Sequence, residues 1–306
     1  MLQFIAKRIL ATIPVLVGVT LITFILVNVV PGDPITAMME KRADPATVAK
    51  LRHEYGLDAP LYLQYLRFLG HAVEGDLGKS FRTKQPVTQA IREHFPATVK
   101  LAVSSMLVAL ILGLAVGIIS AVKQYSWFDH GSMIVALAGI SAPIFWVAIM
   151  LQILFGMYWK ILPISGYTGW RSMVLPAVAL GSRYAASIAR LTRSSLLETT
   201  RQDYVRTARA KGLDERVVIF KHALKNAIIP VVTVIGLQIG GLLTGAILTE
   251  SVFGIPGLGR LAIDAINHRD FPLIQGTVLF TAVIYVLSNL VVDISYAYLD
   301  PRIRLE

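Results

Sequence analysis

Five long runs without a charged residue limit what this chain can fold into: 9–30, 101–122, 131–158, 227–249 and 271–292. Each exceeds the ~20 residues that carry a helix across the ~30 Å hydrocarbon core of a bilayer. A soluble core has no use for several such runs, so the sequence implies an all-α, polytopic membrane protein. The chain is 55% hydrophobic and 16% charged over 306 residues. It has no cysteine, which excludes disulfides and thiolate metal sites. Lys7 and Arg8 precede the first run as they would in a signal peptide. That run is 22 residues long and lacks an A-x-A cleavage pattern, so it reads as a retained span.

A sixth span decides the orientation. Residues 173–189 are short for a span and contain Arg183. If they cross, 14 Lys and Arg lie on the inner side in termini and short loops, against four in the short outer loops. Omitting them leaves only five inside. The positive-inside rule therefore selects six spans with both termini cytoplasmic, and this orientation accounts for most of the net charge of +10 without nucleic acid.

Three regions follow: 1–30 (the cytoplasmic N-terminus and first span), an extracytoplasmic segment 31–97, and a five-helix core 98–306. Pro31-Gly32-Asp33-Pro34 turns at the outer surface. The segment after it carries three helix signatures. Asp44-Pro45 starts one that Gly56 ends, Asp58-Ala59-Pro60 starts a second, and Pro86 a third carrying Val87, Ala90, Ile91 and Phe95. They predict a small helical cap.

The inner side holds an unusual stretch, 190–226, most basic around Asp203–Pro230. Tyr204, Ala208, Val217, Val218, Phe220 and Leu224 fall near helical spacing on either side of Gly212. This predicts two short amphipathic helices meeting at a glycine turn, the second capped by Asp214. A solvated basic loop is the plain alternative. Gly113, Gly117, Gly139 and Pro143 are expected where spans two and three pack or bend. Gly236, Gly240, Gly241 and Gly245 mark span five for close packing or a pathway-lining place at a subunit interface.

Catalytic chemistry is sparse. No H-E-x-x-H or G-x-S-x-G motif and no metal-holding carboxylate cluster occurs. The stretch from Gly75 to Ser80 fails the phosphate-loop spacing. That from Gly254 to Gly259 fails as a dinucleotide fingerprint and reads as a re-entrant or gate-forming turn. The five long runs hold no ionisable group; the nearest are Arg183 in span four and Asp293 at the end of span six. With Gln238, these are the pathway or gate candidates. A membrane body without an engine implies that another protein supplies the energy.

Residues 203–230 resemble the cytoplasmic EAA loop of ABC-importer permeases, whose pattern is E-A-A, three residues, glycine, nine residues, I-x-L-P. Gly212, Ala208 and Leu224 match it. Arg206, Thr207, His222 and Lys225 depart from it. RTARAKG followed by HALKNA is similar to the B-type subunit of dipeptide and oligopeptide permeases. So are MLQFIAKRI, PGDP at 31–34, TRSSLLE at 192–198, PGLGR at 256–260 and the DPRIR end. The resemblance implies a non-enzymatic subunit in a bacterial-type inner membrane that pairs with a homologous second permease. Two ATPase subunits using ATP and Mg, and an extracytoplasmic peptide-binding protein, complete the importer. No cofactor is bound by the chain itself. Tyr204, Arg206, Thr207, Ala208, Arg209, Gly212 and Leu213 are then the ATPase-coupling residues, with Arg206 and Arg209 expected to meet acidic groups of the ATPase. Related permeases carry dipeptides, longer peptides, glutathione or nickel. A secondary transporter or a membrane-embedded enzyme is the rival reading, disfavoured by the missing repeat, buried ions and catalytic cluster.

Overall fold

The structure is a computed structural model that describes residues 2–29, 44–54, 56–244 and 246–299. The turn expected at 31–34, Gly245 and the DPRIR end fall outside these residues. The described residues form helices joined by turns, with one isolated β-bridge between Lys79 and Pro86. They divide into two compact units, one of residues 1–98 and 256–287, the other of residues 99–255 and 288–306.

In the first unit, α1 (Leu2–Val29) is followed by α2 (Pro45–Glu54), α3 (Leu61–Val73) and the start of α4 (Val87–Val122). Asp44 begins α2 as expected, accepting the Thr47 hydroxyl at 3.2 Å, and Gly56 ends it at φ +65°. The third cap helix does not stand alone. The helix that Pro86 opens runs through Pro96 into the apolar run as a single rod ending at Val122. Pro96 lies inside this helix without ending it, so the signal at Pro86 marks a start and no stop.

α12 (Leu258–Asn267) also belongs to this unit, as does the first part of α13 (Phe271–Leu299). Leu258, Leu261 and Ala265 pack on Val87, Ala90 and Ile91 of α4, with Leu273 beside them. The connection to α13 is stapled by Asp270, which is 2% exposed. Its carboxylate accepts the Ser80 hydroxyl at 2.5 Å, the backbone N–H of Phe81 at 3.0 Å and that of Arg82 at 3.3 Å. It also accepts the Leu273 N–H at 3.4 Å, capping α13.

The second unit continues α4 and adds α5 (Trp127–Ser141), α6 (Ile144–Leu151) with a π-helical extension Gln152–Tyr158, and α7 (Arg171–Thr200). The run 131–158, expected as one span, is broken. Ala142 and Pro143 adopt extended backbone, and the two halves meet at 108°. Proline cannot donate to the ladder and forces its predecessor out of the helix. Gly113, Gly117 and Gly181 let α4 and α7 approach closely. A Cβ on Gly117 would sit 2.7 Å from the Ala189 carbonyl oxygen, and one on Gly181 would sit 2.6 Å from that of Ser105.

Then come α8 (Asp203–Ala210), α9 (Glu215–Ala227, π-helical over Val218–Ala223) and α10 (Ile229–Leu243). α11 (Ile247–Phe253) follows. Span five, read as 227–249, is therefore interrupted after Leu243. The expected turn at 254 is present, with Gly254 at φ +68° ending α11.

Leu10–Asn28, Val87–Val122 and Phe271–Ile294 are long and apolar enough to cross a membrane; counting the two bent pairs raises the number to five. Only 17%, 33% and 6% of their most apolar windows are buried, so these helices turn apolar surface outward. Leu26, Ile111 and Ile134 are more than half exposed. Water would penalise such a surface, whereas lipid tails match it. α7 does not pass the same test of length and apolarity, although its 30 residues reach about 45 Å at 1.5 Å per residue.

Candidate functional site

The basic stretch folds as an elbow. α7 continues beyond the 173–189 segment to Thr200, α8 turns back, and α9 leaves from the other side of Gly212. Gly212 sits at φ +74°, with its N–H donating to the Arg209 carbonyl at 2.9 Å. No atom lies within 4 Å of where a Cβ would stand. The glycine is thus explained by its left-handed backbone at the end of α8 rather than by crowding within the chain. Asp214 caps α9 as its position suggested, its Oδ1 accepting the Arg216 N–H at 2.8 Å.

What holds the elbow to the body is an apolar cluster. Val205 and Ala208 of α8, with Val218, Ile219, Ala223 and Ala227 of α9, close on Leu196 and Ala121. Val205 is fully buried, and burial of such a side chain contributes about 1.5–3 kcal/mol. The expected apolar stripe needs correction here. Ala208 and Val218 face inward and Leu224 is half-buried, but Tyr204, Val217 and Phe220 are 42%, 39% and 58% exposed. The π-helical stretch is the physical reason in α9. Its wider turn shifts the inward face to Ile219 and Ala223 and swings Phe220 out.

Polar links then fix the angle between α8 and α9. The Asn226 amide donates to the Tyr204 hydroxyl at 2.8 Å. Arg209 NH2 lies 2.7 Å from Glu215 Oε1, Nε lies 3.1 Å from Oε2, and NH1 reaches the Thr200 carbonyl at 3.3 Å. The hydrogen-bonded Arg209 guanidinium holds the Glu215 carboxyl below its ordinary range, against the opposing effect of burial. Arg209, expected to point at a partner protein, therefore bridges α8, α9 and the end of α7. Arg206 remains outward, with a loose 3.6 Å approach to exposed Asp203. Thr207 donates its hydroxyl to the Asp203 carbonyl at 2.9 Å within α8. Leu213 is 41% exposed at the tip. Tyr204, Arg206, Leu213, Val217 and Phe220 thus remain exposed on an otherwise anchored element.

The pathway candidates are scattered. Arg183 is exposed on α7 and takes part in no ion pair among the described residues. Asp293 is half-buried on α13 and has an interaction partner there. Gln238 on α10 has its amide oxygen buried without a hydrogen-bond partner, as does Asn289 on α13. The helices that bear them meet closely, since a Cβ on Gly236 would stand 2.7 Å from Val292 Cγ2.

Sequence reading missed the pair that anchors α5 to α7. Asp129, 1% exposed, accepts Arg193 Nε at 2.6 Å and NH2 at 2.7 Å. Ser126 caps α5 by accepting the Asp129 N–H at 3.2 Å. The S-x-x-D spacing at a helix start was the available signal. Among the described residues, no cluster of three His, Cys, Asp or Glu could hold a metal.

Apolar helices of spanning length, with an anchored basic elbow beside them, are the build of a membrane protein. The chain belongs to the family of binding-protein-dependent transport system inner membrane components, whose model matches residues 113–305, with the family's N-terminal model matching residues 1–102. It is 45% identical to the dipeptide transport system permease protein DppB of Alkalihalophilus pseudofirmus in an alignment of 332 positions, covering 99% of this chain and 100% of that one. It is 46% identical to the di/tripeptide transport system permease protein DppB of Pseudomonas aeruginosa, covering 99% of each chain. The glutathione transport system permease protein GsiC of Escherichia coli is 43% identical over 304 positions, again 99% of each. In fold, the chain is similar to an amino acid ABC transporter crystallised with histidines, at 15% identity and a TM-score of 0.56. That match covers 69% of this chain and 94% of the other.

Proposed function

We propose that this chain is the permease subunit of an ATP-driven, binding-protein-dependent importer of dipeptides or short peptides. The observation that carries the reading is the elbow, which is firmly anchored yet keeps Tyr204, Leu213, Val217 and Phe220 exposed beside Arg206. An apolar patch ringed by basic groups on a rigid support suits docking into a groove of another protein. That protein is a cytoplasmic ATPase. α7, long enough to cross and extend beyond the bilayer, is counted as the sixth span. Both termini and the elbow then lie in the cytoplasm.

A homologous second permease completes the pathway, and Gln238, Asn289, Arg183 and Asp293 supply its polar groups. ATP binding draws two ATPases together, pushes the elbows inward and biases the helices toward an outward-open state. Hydrolysis resets them. The chain performs no bond chemistry; its work is to convert a push on α8 into helix motion.

Glutathione is the second reading. The alignment with the glutathione permease needs 304 positions, whereas those with the dipeptide permeases stretch to 332 and 333 around this 306-residue chain. The test is uptake by the assembled importer with unlabelled dipeptide, glutathione or nickel as competitor. Competition by dipeptide supports the peptide reading, and competition by glutathione alone replaces it.

A further inference from the structure

One cavity of the first unit is unused by the transport reading. It has a volume of about 400 Å³, and among the described residues Arg67, His71 and Lys79 line it and no carboxylate does. We propose that it is a headgroup site for an anionic phospholipid such as phosphatidylglycerol. The proposal rests on the reading that α1 and α13 cross the membrane.

Position carries the argument. Phe24 and Asn28 line the cavity from the last turns of the spanning segment Leu10–Asn28. Phe271 and Pro272 line it from the first turn of the spanning segment Phe271–Ile294. The ends of two spans coincide with the headgroup layer of the bilayer, where cations meet phosphate and aromatic rings sit at the interface.

Charge carries it further. Among the described residues, Asp58, Asp76 and Asp270 each have another partner, and Asp58 also feels the Arg67 charge. Asp58 is held by His53 at 2.7 Å, and Asp76 Oδ1 accepts the Gly78 N–H at 2.8 Å. Asp270 is committed to Ser80, Phe81 and Arg82. Among the described residues, no ion pair engages Arg67 or Lys79. A guanidinium fork and an ammonium beside it match a phosphodiester.

The wall is also preorganised. Asp270 fastens the segment after Lys79, and Gly56, at φ +65°, leaves room for Arg67, whose NH1 would stand 3.2 Å from a Cβ there. Gln64 donates its amide to the Leu57 and Ala59 carbonyls at 3.2 and 2.8 Å, which fixes its orientation in the wall. The rings of Phe24 and Phe68 provide the apolar side on which a glycerol backbone can lie.

The experiment is native mass spectrometry of the full chain in detergent, with added dioleoylphosphatidylglycerol, dioleoylphosphatidylcholine or inorganic phosphate. Arg67→Gln/Lys79→Gln is compared with the charge-matched control Lys50→Gln/Arg92→Gln, and Arg67→Gln alone serves if the double variant does not fold. We expect retention of one phosphatidylglycerol in preference to phosphatidylcholine, a tenfold loss in the cavity variants and no loss in the control. Equal retention of the two lipids by the wild type would overturn the proposal, as would undiminished preference in the cavity variants. Retention of inorganic phosphate in place of lipid would identify a free-anion site instead. Because lipid retention is read without ATPase or transport, failure here leaves the importer reading to its own test.

Discussion

Arg193 grips Asp129 with both prongs of its guanidinium, at 2.6 and 2.7 Å, and so fixes the start of α5 against α7 just before the elbow. Asp129 also accepts the Tyr125 N–H at 3.0 Å, so the carboxylate organises the turn between α4 and α5. Its side chain is 2% exposed and that of Arg193 is 24% exposed, so breaking the pair strands charge in a poorly hydrated place. We expect Arg193→Gln to cost about 3 kcal/mol, toward the lower end for a buried pair because Arg193 keeps some water. Thermal unfolding of the purified chain measures it. Asp129→Asn/Arg193→Gln should recover part of the loss, and a double variant as unstable as the sum of the singles would deny the coupling.

Gly212 makes a sharper prediction about backbone. With φ at +74° and open space where a Cβ would stand, an added side chain is resisted by conformation and not by neighbours in the chain. Gly212→Ala should cost about 1 kcal/mol locally, Gly212→Asn less because Asn tolerates the left-handed region, and Gly212→Val more. Gly212→Trp should abolish uptake while membrane insertion stays intact, because the added bulk meets the ATPase. Normal uptake by the Trp variant would remove the elbow from the coupling role.

Much of this was legible in the sequence because membrane length and glycine chemistry are local signals. Uncharged runs report apolar helices, though not the breaks within 131–158 and 227–249, and Gly212 followed by Asp214 reports a helix stop and a helix start. The face of α9 was not legible. Helical spacing assumes 3.6 residues per turn, and the π-helical stretch at Val218–Ala223 breaks that assumption without a sequence mark. Pro86 marks a helix start, but nothing in the sequence shows that the helix continues through Pro96 to Val122. The Arg193–Asp129 pair is 64 residues apart in sequence, so packing alone could bring it together.

Orientation is tested at Lys79, which is exposed in a chain without cysteine. A cysteine placed there should react with a membrane-impermeant maleimide in intact cells. Reaction only after permeabilisation would invert the topology.

Arg183 divides two roles for α7. A charge near the bilayer centre facing lipid costs ~2.5–3.5 kcal/mol on insertion scales, yet Arg183 is exposed in the isolated chain. Under the proposed topology it faces either the inner headgroups, by extension of its stem, or the proposed pathway between two permeases. The pathway role predicts that Arg183→Lys and Arg183→Gln both lower uptake while ATPase assembly is retained. Snorkelling predicts that Lys is tolerated and Gln nearly so. Wild-type uptake by Arg183→Gln would exclude it from the pathway.

The central claim is that the elbow tip touches an ATPase, and photocrosslinking tests it most directly. Leu213 replaced by a photoreactive benzoylphenylalanine should, on irradiation of membranes holding the assembled importer, join this chain to an ATPase polypeptide identified by mass spectrometry. The same residue at Leu66, on α3, should give no ATPase adduct. Adducts of the Leu213 probe with lipid alone, or with no protein at all, would contradict the account.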